Sequence, residues 1–226
     1  MTVGSEPATT SSRFSEELKS MTWDDHEHAE YTEYMQALLG GQCNVQGYVD
    51  MVVQHYYAYL VIEEAAEKMR DDAVGGPFVY DSLARIPALE ADLQFLLGDD
   101  WRTQIAPNEA TKEYCDRLKE VCFDWPGGFV AHAYTRYLGD LSGGQVIKGA
   151  VERAFQFKDQ QGVQFYVFDQ IPDYKAFKIQ YRDQLDAAPW GEEEQQKVID
   201  EAVLAYRLNT KVLAEIGRDL PRYLKK

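Results

Sequence analysis

The chain has 226 residues, 45% of them hydrophobic and 27% charged, the composition of an ordinary globular protein. Its 23 Lys and Arg against 38 Asp and Glu leave a formal charge of −15, which argues against a nucleic-acid binder, since such proteins carry a basic face. The longest unbroken apolar and aromatic run, residues 56–62, falls far short of the ~20 residues that take a helix across a bilayer. The first residues lack the basic start and apolar core of a signal peptide.

Helical periodicity dominates the rest. Residues 1–12 are rich in Thr and Ser and read as a disordered lead-in. Ser12 is placed to cap a first helix with Phe14, Leu18 and Met21 on one stripe. Thr22 and Asp25 have capping-box spacing, which predicts a restart or kink there. The pattern then continues through Tyr31, Met35 and Leu38 to the stop at Gly40 and Gly41. A second helix carries Val49, Val52, Tyr56, Tyr59, Leu60, Glu63, Ala66 and Met69 and ends before Gly75, Gly76 and Pro77. A third carries Leu83, Ile86, Leu89, Leu93 and Leu96, ending near Gly98. A fourth begins near Asn108 and carries Tyr114, Leu118 and Val121. After a break at residues 124–128, a long helical stretch runs from 129 to about 155. Residues 162–169 alternate as a strand does, but no second strand pairs with them, so they read as an extended connection. Two helices, about 173–185 and 192–217, finish the chain, with Pro189 between them and Pro221 after. The predicted fold class is all-α: one bundle-like, multi-helix domain over residues 13–220, with a short tail at 221–226.

Three segments could carry chemistry. The first holds His26 and His28. A di-iron carboxylate bundle needs Glu-x-x-His on two helices; only Asp25 and His28 come near that spacing, once. His26 and His28 are two apart and do not share a helix face, so a two-histidine metal site is disfavoured. His26 alone has Ala29 and Glu30 on its face, three and four residues on. Taken in isolation, an exposed or capping histidine is the commoner explanation. His55, set among tyrosines, reads as a core or edge histidine.

The second segment holds Gly139, Gly143 and Gly144 inside a helical stretch, where each glycine costs roughly 0.5–1 kcal/mol relative to alanine. Gly139 and Gly143 open the same face. This fits close helix packing or a kinked junction, and equally a backbone laid against a large flat ligand. Asp140 lies between them, placed to point a carboxylate into the gap. The third segment puts Lys175, Lys178 and Arg182 on one helix face, with Tyr174 and Tyr181 beside it. That is either a solvated face or, in so acidic a chain, a carboxylate-binding site. The three cysteines (Cys43, Cys115, Cys122) form no C-x-x-C. They disfavour a disulfide framework or zinc site, fit a reducing compartment, and read as small buried hydrophobes.

Together these segments resemble the biliverdin-forming heme oxygenases. Residues 132–146, from His132 through Tyr134, Arg136, Gly139, Asp140, Gly143 and Gly144 to Val146, carry the family signature. Residues 22–35 resemble the segment with the proximal histidine, and 174–182 the propionate-binding helix. Ile62, Glu63, Glu64, Leu208 and Asn209 match as well, so the resemblance runs from about 14 to 217. It implies heme b, at once cofactor and substrate, sandwiched between the first helix and a glycine-kinked distal helix. His26 matches the axial metal ligand and Glu30 the acid that hydrogen-bonds around it. Gly139 and Gly143 match the backbone that covers the distal face, and Gly144 shares the kink. Asp140 matches the organiser of distal water, with Tyr59, Arg136 and Asn209 in the same polar network. Lys178 and Arg182 match the propionate anchors, Lys19 is a third candidate, and Tyr134 and Tyr181 are their hydrogen-bond partners. His132, seven residues from Gly139 and about 10 Å along a helix axis, is the rival ligand.

The implied activity is oxidative cleavage of heme at a meso carbon to biliverdin, CO and free iron, using O2 and electrons from a flavoprotein reductase or ferredoxin. The alternative is a heme-sequestering protein without turnover. A third reading, an unrelated helical enzyme of thiaminase type, rests only on Cys115 beside Asp116. The chain departs from the resemblance at Trp23, where many family members have lysine. Its ending at Pro221 to Lys226, without the membrane tail of animal members, implies a bacterial-type or plastid-type enzyme. The expected setting is the cytoplasm, or the plastid stroma in a eukaryote. The expected state is a monomer whose partners are heme and a redox protein, with no nucleic acid and no membrane anchor.

Overall fold

Four helices begin by the same device, a side-chain oxygen that takes up backbone N–H groups left free at a helix start, three of them through Asn or Asp. Asn44 accepts from Gly47 N at 3.2 Å, Asn108 from Thr111 N at 2.8 Å, and Asp173 from Lys175 N and Ala176 N at 2.9 Å each. The computed structural model describes residues 13–225; the expectations for residues 1–12, the Ser12 cap among them, lie outside the described residues. The helices are α1 (Phe14–Met21), α2 (Trp23–Glu30), α3 (Glu33–Leu39), α4 (Val45–Met69), α5 (Ile86–Leu97), α6 (Glu109–Val121), α7 (Pro126–Ala133), α8 (Gly143–Phe155), α9 (Tyr174–Ala187), α10 (Glu192–Gly217) and α11 (Leu220–Tyr223). Among the described residues the only extended pairing is one bridge between Cys43 and Leu224, so the all-α expectation holds.

The two long helices organise the rest. α4 packs on α5, α6 and α7, and α10 packs on α7, α6, α2 and α3. Tyr48, Tyr59, Tyr114, Phe129, Phe165 and Tyr166 are fully buried. A buried phenol usually finds a polar partner as well as packing. Tyr48 donates to Gly162 O and Tyr34 to Gly47 O, both at 2.7 Å.

Local structure refines the sequence expectation in four places. The first helix restarts at Thr22, as the spacing predicts, and breaks once more at residues 31–32, giving three helices. Thr22 does not cap α2: its hydroxyl donates back to Leu18 O at 2.8 Å, the bond a mid-helix threonine makes. The working cap is Thr32, which accepts from Met35 N at 3.4 Å. Next, the glycine-bearing stretch is α7 and α8 joined by a π-helical turn, Tyr134–Leu138, and a break at residues 141–142. The unusual backbone angles belong to Ser142 (φ −122°, ψ −89°), while Gly139 stays helical (φ −61°, ψ −49°). The kink therefore does not use Gly139's conformational freedom. Residues 162–168 start at Gly162 (φ +77°) and form a short helical turn, Gln164–Tyr166, held by the Asp92 carboxylate accepting from Gln164 N and Phe165 N at 2.9 and 2.8 Å. Last, residues 221–225 do not hang free. Tyr223 is buried, its carbonyl accepts from Asn44 N at 2.6 Å, and Lys225 N donates to Gln42 O at 2.8 Å.

Candidate active site

α2, α3 and α10 face the α7–α8 junction across a cavity of about 360 Å³, a size ordinary for a small-molecule site. His26 and Glu30 enter from α2. Arg136, Gly139, Asp140, Gly143 and Gly144 enter from the junction, and Asn209 from α10. Sequence segments more than 100 residues apart thus meet at one site.

His26 is wedged between two rings. The Trp23 indole stacks on it (centroids 5.6 Å apart, planes 20° apart), and Tyr206 meets it edge-on at 5.7 Å. Its Nδ1 is buried without a hydrogen-bond partner, and its Nε2 lies 3.6 Å from a Glu30 carboxylate oxygen. At 3.6 Å that contact is longer than a hydrogen bond, so Nε2, the ring nitrogen that is not sealed in, stays uncommitted, as an axial ligand requires.

Opposite it, the glycines divide by role. A Cβ on Gly139 would meet nothing within 4 Å, and one on Gly143 only the Glu30 carboxylate at 3.6 Å. A Cβ on Gly144 would lie 2.9 Å from the Tyr166 ring. Gly139 and Gly143 keep the cavity open; Gly144 lets the helix lie against Tyr166. Opposite signs follow for alanine substitution. Gly139→Ala is expected to raise the melting temperature of the ligand-free protein, by up to the ~1 kcal/mol that alanine gains over glycine in a helix, while weakening heme binding. Gly144→Ala is expected to lose roughly 1–3 kcal/mol through overpacking. Thermal melts and hemin titrations of the two variants check this pair.

Behind the glycines lies a buried polar network. Asp140 accepts a short hydrogen bond from the Tyr59 hydroxyl. Burial raises the Asp140 pKa to about 6, against the pull of the Arg136 charge and the Tyr59 hydroxyl. Burial, then the neighbouring carboxylate, pushes the Tyr59 phenol well above its ordinary value, so it stays a donor. Burial opposes the Arg136 charge, but Tyr59, Tyr114 and Asp140 outweigh it and keep the guanidinium protonated. Arg136 donates to the Asn209 side-chain oxygen and, at 3.1 Å, bonds His55 Nδ1. His55 was expected as a core or edge histidine. It is buried but lines the cavity, because the i, i+4 step from His55 to Tyr59 turns both toward the distal helix. Residues 55 and 59, set against 136 and 140, carried the usable spacing signal.

The basic segment lies beside the kink. Lys178 Nζ reaches Ser142 Oγ at 2.8 Å and the Leu141 carbonyl at 3.4 Å. Burial and the nearby Arg182 charge lower its pKa. Arg182 Nε is buried without a partner, and among the described residues neither cation pairs with a carboxylate. Tyr134 is buried next to Arg182 and Thr22. Tyr181 is fully buried with an unpartnered hydroxyl, its ring edge-on to Phe78 at 5.4 Å. Lys19 lies 5.9 Å over the Trp23 ring. Lys19, Tyr59, Tyr134, Lys178, Tyr181 and Arg182 are outside the cavity wall itself.

The two competing sites do not assemble. His132 is enclosed away from the cavity, with Nε2 2.9 Å from Glu201 and Nδ1 3.4 Å from the Tyr114 hydroxyl. Burial works against the Glu201 charge, but His132 and Arg117 hold its pKa at about 2. Burial pushes the Cys115 thiol up to about 11, the opposite of a nucleophile's requirement.

An all-helical fold with a histidine on one wall of a cavity and bare glycine backbone on the other defines a protein that grips a large flat ligand through its two faces. The Heme oxygenase family model matches residues 12–215. The chain is 36% identical over 213 residues to a heme oxygenase of Porphyra purpurea, covering 94% of this chain and 90% of that protein. It is 38% identical over 206 residues to heme oxygenase 1 of Gallus gallus, covering 90% and 70%. Among solved structures, heme oxygenase-1 of Synechocystis in complex with heme superposes with a TM-score of 0.89 at 34% identity, covering 93% of this chain and 95% of that one. The chain belongs to the heme oxygenase family.

Proposed function

We propose that this chain opens the heme macrocycle at a meso carbon, releasing biliverdin, CO and iron. Three features of its residues fit that group. Nε2 of His26 makes no hydrogen bond among the described residues, the space in front of Gly139 is open and that in front of Gly143 holds only the Glu30 carboxylate, and Lys178 and Arg182 pair with no carboxylate among the described residues. The free backbone at Gly139 carries the reading furthest, since the helix forgoes alanine's stability there without needing glycine's conformations. Heme, when bound, supplies the iron that activates O2 and the ring that is cleaved, with electrons from a flavoprotein reductase or ferredoxin.

The residues divide the remaining work. His26 holds the group from the proximal side, with Glu30 beside its ring. Gly139 and Gly143 let backbone approach the other face, so position is set by the shape of the helix. Tyr59 occupies one Asp140 carboxylate oxygen and leaves the other to orient a water. Arg136, fixed by Asn209, keeps that buried carboxylate mostly ionised above pH 6. Lys178 and Arg182 hold the propionates, with Lys19, Tyr134 and Tyr181 around them, and thereby set the in-plane rotation that presents one meso carbon. A heme-sequestering protein would need the grip but not Asp140, whose burial is costly when charged. The same reading puts the chain at work as a monomer, in the cytoplasm or plastid stroma.

The test is an absorption time course with one equivalent of hemin, in air, with a reductase system. The expected result is a Soret band that decays into a bile-pigment spectrum with CO release; a Soret band that persists under confirmed reduction supports sequestration instead. Lys178→Ala and Arg182→Ala are each expected to weaken hemin binding about tenfold, the worth of one charge-assisted hydrogen bond. Both should also mix the biliverdin isomers, as resolved by chromatography of the product.

A further inference from the structure

His55 has no part in the signature that identifies the family, yet it lines the cavity. Two side chains of α4, His55 and Tyr59, meet two of the distal helix, Arg136 and Asp140. Both pairs are four residues apart, so the contacts form two rungs between parallel faces. The Tyr59–Asp140 rung belongs to the network already described. The His55–Arg136 rung fixes something more. A guanidinium has only donors, so His55 Nδ1, 3.1 Å from Arg136 Nη2, must be the acceptor. The imidazole proton then sits on Nε2, which makes no hydrogen bond among the described residues. The ring leans on Phe165, centroids 5.2 Å apart, which holds its plane.

We propose that His55 is a distal positioning residue: Nδ1 fixes the Arg136 guanidinium, and Nε2–H donates a hydrogen bond to the water or small oxygen-containing ligand held in the cavity. Burial and the Arg136 charge keep the ring neutral, so the donor does not come and go with pH near neutrality. The geometry makes the distal side a two-sided clamp, with Asp140 accepting through water and His55 donating. This rests on the heme reading above.

The test uses carbon monoxide as a reporter of the local field in the reduced heme complex, together with the tautomer in the heme-free protein. His55→Leu removes both hydrogen bonds at similar bulk. His55→Gln restores an acceptor for Arg136 and an N–H for the cavity. The expected result is a C–O stretching frequency that rises in His55→Leu and returns toward wild type in His55→Gln, with O2 dissociation about tenfold faster in the leucine variant. Nitrogen NMR of the heme-free protein should find the His55 proton on Nε2. A merely structural histidine would lower the melting temperature of His55→Leu and leave the C–O band unmoved, which overturns the proposal. So does a proton found on Nδ1. If wild type forms no carbonyl complex at all, the heme reading itself falls and this proposal with it.

Discussion

His26→Ala is expected to abolish normal axial ligation while leaving the fold intact. The side chain is partly exposed, its Nδ1 has no partner, and its Nε2 is 3.6 Å from Glu30. Removing it therefore orphans no buried group, and the melting temperature of the heme-free protein should change as little as for a surface substitution, within about 0.5 kcal/mol. The heme complex should lose its histidine-ligated spectrum. Ring-opening turnover should fall by at least the ~100-fold that loss of even an outer partner of a metal ligand can cost. Added imidazole should restore the spectrum, since the gap between Trp23 and Tyr206 is shaped for that ring. An unchanged ligand-field spectrum in His26→Ala would remove His26 from the site.

Legibility of the fold and the site followed the range of the physics involved. Helices stood out because their signals are local: Asn44, Asn108 and Asp173 act within three residues of themselves. At Thr22 the helix restarts where the capping-box spacing puts it, but through another bond: a threonine at that spacing can equally bond backward to Leu18, and tertiary context chose the latter. The glycines were legible as an anomaly but not as a division of labour. Only the partner helix tells that Gly144 faces Tyr166 while Gly139 faces open space. Trp23 showed in the sequence as a lost lysine; in the fold its ring is a plane stacked on the His26 imidazole. His55 is the buried, hydrogen-bonded histidine that the sequence suggests, but its place at the cavity depends on Arg136, 81 residues away. The four-residue step from His55 to Tyr59 acquires that meaning only when it is set against Arg136 and Asp140. Tyr181 shows the converse limit. The resemblance makes it a propionate partner, and the structure adds what no spacing shows, a buried hydroxyl beside Phe78 that no group among the described residues takes up.

Replacing Asp140 should separate binding from chemistry, and it bears on whether this chain turns over at all. Asp140 does not grip the ligand's periphery, so Asp140→Ala should bind hemin within a few-fold of wild type. Biliverdin formation should fall by about 10²–10⁴, the usual worth of a positioned proton-handling group; full retention of turnover removes the role. Asp140→Asn gives the pH test. Burial holds the Asp140 pKa in the folded protein at about 6, against an ordinary carboxyl value of 3.8. Between those values the folded state binds more protons than the unfolded one, so this group's contribution to stability falls as pH rises, by ~3 kcal/mol across the window. Asparagine removes that fall. Denaturant midpoints of wild type and Asp140→Asn should therefore diverge as pH is raised from 4 to 7, with the variant gaining relative to wild type. If the two curves run parallel, the carboxylate is not burdened by its site. On the proposed reading, the cost of keeping this carboxylate charged at neutral pH has its reason in the reaction, because the grip proposed for His26, the glycine backbone and the two cations does not involve it.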